Sequence, residues 1–242
     1  MTKFFSSAAR PAVSILGLMI LMSVTAGTSQ AQQFCNPAPI SIPSQGAANP
    51  YPSNITVSGL SGSTVGVTDS HTISSAITSI TNITVSLQIT GGFNGDYYAY
   101  LVHSSGFAVL LNRIGRTSSN DLGNSGSGIN VTFDDLALSG DIHLAPNASP
   151  LTGMWEPDAR NVNPSSSLDT SPRTAFLDSF NGLDASGTWT LFVSDAGPVS
   201  TGTFASWTLN ITGIPEPGTF SLALLGIGTL AYFYKRARAR RP

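Results

Sequence analysis

The stretch Asn82-Ile-Thr-Val-Ser-Leu-Gln-Ile-Thr90 decides the fold class, because apolar and polar residues alternate along it without a break. Its aliphatic residues occupy every second position, and the positions between them carry hydroxyl or amide side chains. A period of two residues predicts a β-strand that buries one face and exposes the other.

Shorter stretches on both sides of this one predict more strands. They are residues 97–103, 107–111, 129–133, 188–194 and 205–211. Clusters of Gly, Ser, Asn and Asp separate them, and we find no amphipathic pattern of helical length between residues 53 and 213. Many short strands separated by turns predict an all-β fold, a jelly-roll β-sandwich, with polar loops at 117–128 and 156–175. Trp189 and Trp207 fall on the apolar side of their strands, so we expect both to be buried.

The net charge of the sequence bears on whether the protein binds nucleic acid. Only 10% of the 242 residues are charged, and there is one Cys, which excludes a disulfide framework. Residues 32–214 contain four Arg, no Lys and twelve acidic residues, so the formal charge of this segment is 4 − 12 = −8. Nucleic-acid binding requires clusters of basic side chains to contact phosphates, and this segment has none. We therefore expect no nucleic-acid partner.

The N-terminus has the pattern of a signal peptide over residues 1–31. Lys3 and Arg10 precede the apolar run 12–22, and Ser29-Gln30-Ala31 offers a small-x-small cleavage site. An N-terminal membrane anchor is the alternative, although the apolar run is short for a span. We assign residues 32–52, with five Pro residues from Pro37 onward, to an extended linker, and residues 53–213 to the folded domain.

The C-terminus has three parts in order. Pro215-Glu216-Pro217 precedes the apolar stretch 218–234, and five basic residues follow within 235–241. A helix over 218–234 would be about 25 Å long, which predicts a short transmembrane helix with its basic end in the cytoplasm. The arrangement over residues 214–242 resembles the PEP-CTERM sorting signal of Gram-negative bacteria. The resemblance implies export across the inner membrane, recognition by an exosortase that removes the helix, and release to the cell surface or medium.

The body resembles a second family, the P domain (Homo B) of proprotein convertases. Five landmarks carry the resemblance in order: Gly95-Asp96-Tyr97-Tyr98-Ala99-Tyr100-Leu101 with Ser104-Ser105-Gly106; Thr132-Phe133-Asp134-Asp135; Leu151-Thr152-Gly153-Met154-Trp155-Glu156-Pro157; Phe180-Asn181-Gly182; and the segment from Gly187-Thr188-Trp189 to Trp207-Thr208-Leu209. The resemblance spans about residues 53–213 and implies a jelly-roll β-sandwich. In convertases this domain follows a subtilisin-like protease, which we do not find in this sequence.

No catalytic motif accompanies these features. The sequence has no G-x-S-x-G and no H-E-x-x-H, and its three His residues lie far apart. Asp178 and Asp184 have the residue type of a glycosidase pair, but both flank Asn-Gly turns. We therefore expect a non-catalytic binding or structural module of the envelope or extracellular matrix. The alternatives are a small exported hydrolase and an accessory domain for a separate protease.

Two sets of residues are candidates for binding. Tyr97, Tyr98, Tyr100 and Trp155 could form an aromatic platform for a polysaccharide or another extracellular protein, although strand aromatics more often pack in a core. Asp96, Asp134, Asp135 and Asp195 lie at strand ends, where carboxylates and backbone carbonyls together suit Ca²⁺. Turn capping is the simpler role for each Asp.

Overall fold

Two β-sheets face each other in the computed structural model, which describes residues 28–43, 66–215 and 219–238. Within these ranges the five-stranded sheet has the order β1-β9-β3-β6-β7, and the four-stranded sheet has the order β2-β8-β4-β5. The strands are β1 (Thr28–Ser41), β2 (Val67–Ile73), β3 (Ile77–Gly91), β4 (Tyr97–His103), β5 (Gly106–Asn112), β6 (Ile129–Phe133), β7 (Leu151–Trp155), β8 (Gly187–Asp195) and β9 (Gly202–Pro215). All pairs are antiparallel except β6 with β7.

The predicted β-sandwich is confirmed. The side chains predicted to face its core on β3, β8 and β9 do so. The aliphatic positions of β3 from Ile83 to Ile89 point into the space between the sheets, where they are almost fully buried. Trp189 on β8 and Trp207 on β9 lie in the same core cluster, with 0% and 1% of their surface exposed. Residues 117–128 and 156–175 contain no strand, as predicted.

The start of the domain differs from the prediction. Residues 32–41, assigned to a linker, form most of β1, an edge strand that pairs with β9 from Thr28↔Gly213 to Ser41↔Thr203. The register shifts between Cys35 and Ile40, the stretch that contains Pro37 and Pro39. Proline has no backbone N–H to donate to a ladder, so an irregular edge strand can accommodate it where a central strand could not. Residues 1–27 and 44–65, which include most of the predicted signal peptide and the rest of the linker, lie outside the described residues.

The end of the domain runs directly into the sorting motif. β9 continues to Pro215, the first residue of Pro215-Glu216-Pro217, and Pro215 is opposite Ile77 of β3. The helix α1 follows over Thr219–Arg238. We predicted a transmembrane helix over 218–234, but no helix among the described residues combines the length and apolar character of a membrane span.

A long segment covers the outer face of the four-stranded sheet. Residues 156–176 cross this face, and their backbone joins the edge strand β5 through Asp158 N–H to Leu110 O (3.1 Å), Ala159 N–H to Val109 O (2.9 Å) and Val109 N–H to Ala175 O (3.0 Å). A second cluster of buried apolar side chains lies on this face, made of Tyr98, Tyr100, Val109, Ala175 and Phe192. The sandwich therefore has a covered outer layer in addition to its central core.

Candidate functional site

Arg160 organises the covering segment through a buried network of charges. Its guanidinium donates to Asp141 Oδ2 at 2.8 Å and to Asp158 Oδ1 at 3.2 Å, and to the backbone oxygens of Leu168 and Asp169, both at 2.9 Å. Arg160 is 2% exposed and Asp158 is fully buried. A buried guanidinium needs this many acceptors to offset its lost hydration, so the network fixes the segment in place.

His143 belongs to the same network. It pairs with Asp158, and a His–Asp pair is also an arrangement that catalytic sites use. Its Nδ1 lies 2.8 Å from Asp158 Oδ2, and its Nε2 lies 2.8 Å from the backbone oxygen of Arg116. Burial alone would lower the pKa of His143, but the hydrogen bond and the charge of Asp158 outweigh it, so the pKa is raised above its ordinary value. Both partners are acceptors, so the imidazolium fits this site and neither nitrogen is left to act as a general base.

The four acidic residues proposed for calcium fall into two separate pairs. Asp134 and Asp135 follow Phe133, the last residue of β6, which pairs with Val85 of β3. Asp134 Oδ1 accepts the N–H of Leu136 at 2.9 Å, and the two oxygens of Asp135 accept the N–H groups of Leu177 (3.0 Å) and Asp178 (2.7 Å). These hydrogen bonds cap turns, which is the simpler role weighed for them in the sequence.

Asp96 and Asp195 form the other pair. Asp96 directly precedes β4, and Asp195 is the last residue of β8. Asp195 ends β8 opposite Tyr97, and the backbone oxygen of Asp96 accepts the N–H of Ala196 at 2.7 Å. Arg113 Nη2 lies 3.6 Å from Asp96 Oδ1. Within the described residues we find no group of three or more His, Cys, Asp or Glu side chains placed to hold a metal ion.

The electrostatics of this pair are those of carboxylates held away from water. Burial raises the pKa of Asp96, and Arg113 partly opposes that rise. Burial also raises the pKa of Asp195 to about 7; the Gly197 N–H opposes this rise, the charge of Asp96 adds to it and Arg113 opposes it. Asp195 Oδ1 accepts the Gly197 N–H at 2.9 Å, whereas its buried Oδ2 has no hydrogen-bond partner among the described residues.

A pocket of about 240 Å³ opens beside Asp96. Apolar side chains form its rim, namely Phe93, Leu122, Pro198 and Val199, and the remaining lining residues are Gly123, Asn124 and Ser125. This pocket could not be predicted from the sequence, because its lining comes from three loops, at 93–96, 122–125 and 198–199, which no local periodicity relates.

The predicted aromatic platform is wrong. Tyr97 points into the central core and its hydroxyl donates to Gly91 O at 2.7 Å. Tyr98 and Tyr100 lie on the outer face, but the covering segment buries them against Phe192, with ring centroids 6.4 and 4.9 Å away. Trp155 is half-buried, lies on the other sheet and donates from Nε1 to Thr152 O at 2.9 Å. The four side chains therefore do not share an exposed surface.

All four Arg residues of the body are engaged in ion pairs. Arg113 pairs with Asp96, Arg116 with Asp121, Arg160 with Asp141 and Asp158, and Arg173 with Glu156. Three of them are buried and Arg173 is half-buried. Because residues 66–215 contain no Lys, the described exterior of the sandwich carries exposed acids with almost no exposed base.

Comparison with known proteins agrees with the two resemblances. Residues 157–211 match the family model of the proprotein convertase P-domain, and residues 213–241 match that of the PEP-CTERM protein-sorting motif. Both predicted resemblances are confirmed. The P-domain match takes in the covering segment, β8 and β9, and the PEP-CTERM match begins inside β9. No curated protein matches the chain significantly.

Two solved structures are similar to the chain. One is a serine protease of Aeromonas sobria in complex with its chaperone, with 13% identity and a TM-score of 0.35, and the other is the serine protease of Aeromonas sobria, with 12% identity and a TM-score of 0.33. Each alignment covers 77% of this chain, but only 26% and 27% of the respective protease chains. The chain thus spans about a quarter of the length of the structures it matches.

The PEP-CTERM match carries the functional information. It implies that the protein is exported and recognised by an exosortase during sorting, and it supports transient anchoring at a membrane. In the structure β9 ends at Pro215, the first residue of the motif, and Glu216 and Pro217 lie outside the described residues.

Proposed function

We propose that this protein is a non-catalytic binding or structural module of a Gram-negative cell envelope or extracellular matrix, delivered there by exosortase sorting. The observation that carries the proposal is the continuity of the last sandwich strand with the sorting motif at Pro215. The folded body is then the part that remains after sorting, and its surface determines what it does outside the cell.

The use of the polar side chains supports a non-catalytic role. His143 and Asp158 have the geometry of a base with its orienting carboxylate, but the second ring nitrogen is taken by Arg116 O. Asp184 Oδ1 accepts the Ser186 N–H at 2.7 Å, which is a turn contact. A nucleophile–base pair requires one ring nitrogen free to reach a hydroxyl or thiol, and His143 has none free.

Hydrolysis and binding assays on the purified protein test this proposal. We expect no turnover of envelope polysaccharides or peptides, and saturable binding to a component of the host's extracellular fraction. Turnover that disappears in the exposed-site variants Asp178→Asn or Asp184→Asn would show that the protein is a hydrolase. The matched control is Asp169→Asn, which lies in the covering segment away from the turn at Asn181-Gly182 that Asp178 and Asp184 flank.

A second candidate is an accessory domain for a separate protease, which the P-domain match favours. Its test is co-expression with an exported protease of the same host. Protease half-life that rises when this protein is present, and does not rise with a second exported β-sandwich, would favour the accessory role over the envelope role.

Calcium remains a prediction, now restricted to Asp96 and Asp195. The cation would neutralise two neighbouring buried carboxylates, and backbone oxygens would have to complete its six to eight ligands. A ligand of the native state raises the melting temperature. A calcium site there requires saturating Ca²⁺ to raise the melting temperature relative to chelator, and to do so less in Asp96→Asn; an equal melting temperature in Ca²⁺ and chelator excludes the site.

A further inference from the structure

The pocket beside Asp96 combines an apolar rim with an acidic floor. Phe93, Leu122 and Val199 are 38%, 71% and 80% exposed, which is high for large apolar side chains grouped around one opening. Exposed apolar side chains that group together mark contact sites more often than scattered ones do. The carboxylate of Asp96 lies among them as the one charged group of the described lining.

The charge of the buried Asp96 carboxylate is offset by one long ion pair. Its side chain is 9% exposed, and its ion pair with Arg113 is 3.6 Å long. Arg113 divides its donors, because its Nε donates to Gly95 O and its Nη2 to Asp121 O at 3.0 Å. Behind Asp96 lies a second buried carboxylate, Asp195, whose Oδ2 has no hydrogen-bond partner among the described residues.

The chemistry of the pocket selects its ligand by elimination. An anion would be repelled by the floor, and a neutral apolar group would bury the carboxylate further without a partner. A hard cation prefers a cage of oxygens to an apolar rim. A methylene chain that ends in a cation satisfies both parts, since its stem covers the apolar rim and its head donates charge-assisted hydrogen bonds to the carboxylate.

We propose that this pocket binds a Lys or Arg side chain of a partner protein, with the cation against Asp96 and the stem between Leu122 and Val199. This inference rests on the proposed function as a binding module and names its site and the chemistry of its partner. A partner protein fits better than a small free amine, because the backbone around a basic side chain would also cover the exposed Leu122 and Val199.

The charge of the molecule points to a basic partner of a different kind from itself. The described body has no Lys, and its four Arg residues are already in internal ion pairs. Residues 66–215 of a second copy therefore offer no suitable side chain for this pocket. The acidic exterior would also steer a basic partner toward the sandwich, and salt would weaken that steering.

Blocked tripeptides test the pocket directly. The probes are acetyl-Ala-Lys-Ala-amide and acetyl-Ala-Arg-Ala-amide, and the control replaces the basic residue with norleucine, which keeps most of the stem and lacks the charge. We expect saturable shifts of the Gly123 and Ser125 amide resonances with the basic peptides. The norleucine peptide should bind at least about tenfold more weakly, because it leaves the carboxylate without a charged donor. Equal affinity for the basic and neutral peptides overturns the inference.

Two variants separate the pocket from a general charge effect. Val199→Ser removes part of the rim at a position 80% exposed, and Leu138→Ser changes a fully exposed apolar side chain (105%) outside the pocket lining. We expect Val199→Ser to weaken the binding of the Lys peptide and Leu138→Ser to leave it unchanged. If both variants bind like the parent, the pocket is not the site.

Asp96→Asn distinguishes an organic cation from a metal. It should abolish the preference for the Lys peptide over the norleucine peptide. If Ca²⁺ shifts the same amide resonances and the peptides do not, the site is a metal site and the inference is wrong. Peptide binding and the hydrolysis assays are independent, so a failure of this pocket leaves the non-catalytic proposal standing, and turnover in those assays contradicts the non-catalytic proposal alone.

Discussion

Trp189 and Trp207 pack in the same core cluster, one from each sheet. Trp189 stacks on His103 with ring centroids 4.0 Å apart, and its Nε1 donates to Ala185 O at 3.1 Å. Trp207 Nε1 donates to Asp69 Oδ2 at 2.8 Å. Each side chain therefore combines full burial with a satisfied indole N–H, the arrangement that makes a buried Trp stabilising.

We predict that Trp189→Ala or Trp207→Ala lowers the free energy of unfolding by about 3–5 kcal/mol, because each leaves a large cavity and removes the hydrogen bond of a buried indole. Urea denaturation followed by circular dichroism measures it. Trp155→Ala is the matched control, since Trp155 is half-buried and should cost clearly less. Equal losses for the three variants would contradict the assigned strand parity.

Asp195 makes the stability depend on pH. Its folded pKa of about 7 exceeds the ordinary value of 3.8, so the folded state holds the proton more tightly than the unfolded state. Its contribution is therefore fully present below pH 3.8 and is lost as the pH rises through about 7.

We predict that, in chelator, the parent protein loses more stability between pH 4.5 and 8 than Asp195→Asn does, since Asn cannot ionise. Urea midpoints across that range measure the difference between the two proteins. Parallel pH profiles would show that Asp195 ionises as readily in the folded chain as in the unfolded one.

At the residue scale, the sequence predicts which face of the sheet a side chain points to. It does not predict which distant residue that side chain contacts. Alternation places Trp189 and Trp207 on the inner face because it is a local property. The contacts between His143 and Asp158, and between Asp96 and Arg113, join segments that periodicity does not relate. Tyr98 and Tyr100 do point to the outer face, as alternation with Tyr97 requires, but the covering segment buries that face.

The covering segment is the element whose fold depends most on one side chain. Arg160 joins it to Asp141 and Asp158, and the segment in turn buries Tyr98 and Tyr100. We predict that Arg160→Ala destabilises the protein by about 3–5 kcal/mol, because it leaves two carboxylates without their buried partner. Arg173→Ala, which breaks a half-exposed pair with Glu156, should cost less.

Hydrogen exchange shows where that loss occurs. In Arg160→Ala we expect the amides of Val109 and Ala159 to exchange faster than in the parent, because their hydrogen bonds join the covering segment to β5. The amide of Leu87 in β3 should remain protected under native conditions. Uniform loss of protection at all three positions would mean that the segment is not a separate unit of stability.

Elements with strict alternation were predictable, and the irregular ones were not. β3, β8 and β9 have long runs of period two that bury one face. β1 contains Pro37 and Pro39, which argue against a strand everywhere except at an edge, and β7 has a single buried residue, Leu151, to mark its inner face. The β1 edge also includes Thr28 to Ala31, which belong to the predicted signal peptide.

At the scale of the whole molecule, the last strand of the sandwich, β9, also contains the first residue of the sorting motif. β9 supplies the inner-face residues Trp207, Leu209 and Ile211, and then ends at Pro215. The sequence predicted the motif itself, because three adjacent segments in a fixed order carry it. It did not predict that the strand would run into the motif, since the pairing of Pro215 with Ile77 is a long-range contact.

We predict that changing Pro215-Glu216-Pro217 to Ala-Ala-Ala prevents processing, so that the full-length chain accumulates in the host's membrane fraction. The sandwich should remain folded in this variant, because Pro215 contributes no N–H to the ladder and lies at its end. Three Ala substitutions at Leu136, Leu138 and Ser139, which are all exposed, are the control and should leave processing intact. Secretion of the Pro215-Glu216-Pro217 variant at the normal level and length would contradict recognition of this motif.

The central claim, that this sandwich is delivered outside the cell by removal of both ends, is tested most directly by intact-mass spectrometry. The sample is the protein recovered from the host's extracellular fraction. The account predicts a chain that begins near Gln32, after the Ser29-Gln30-Ala31 site, and lacks residues from about 218 onward. Recovery there of a chain that still ends in Arg241-Pro242 would contradict it.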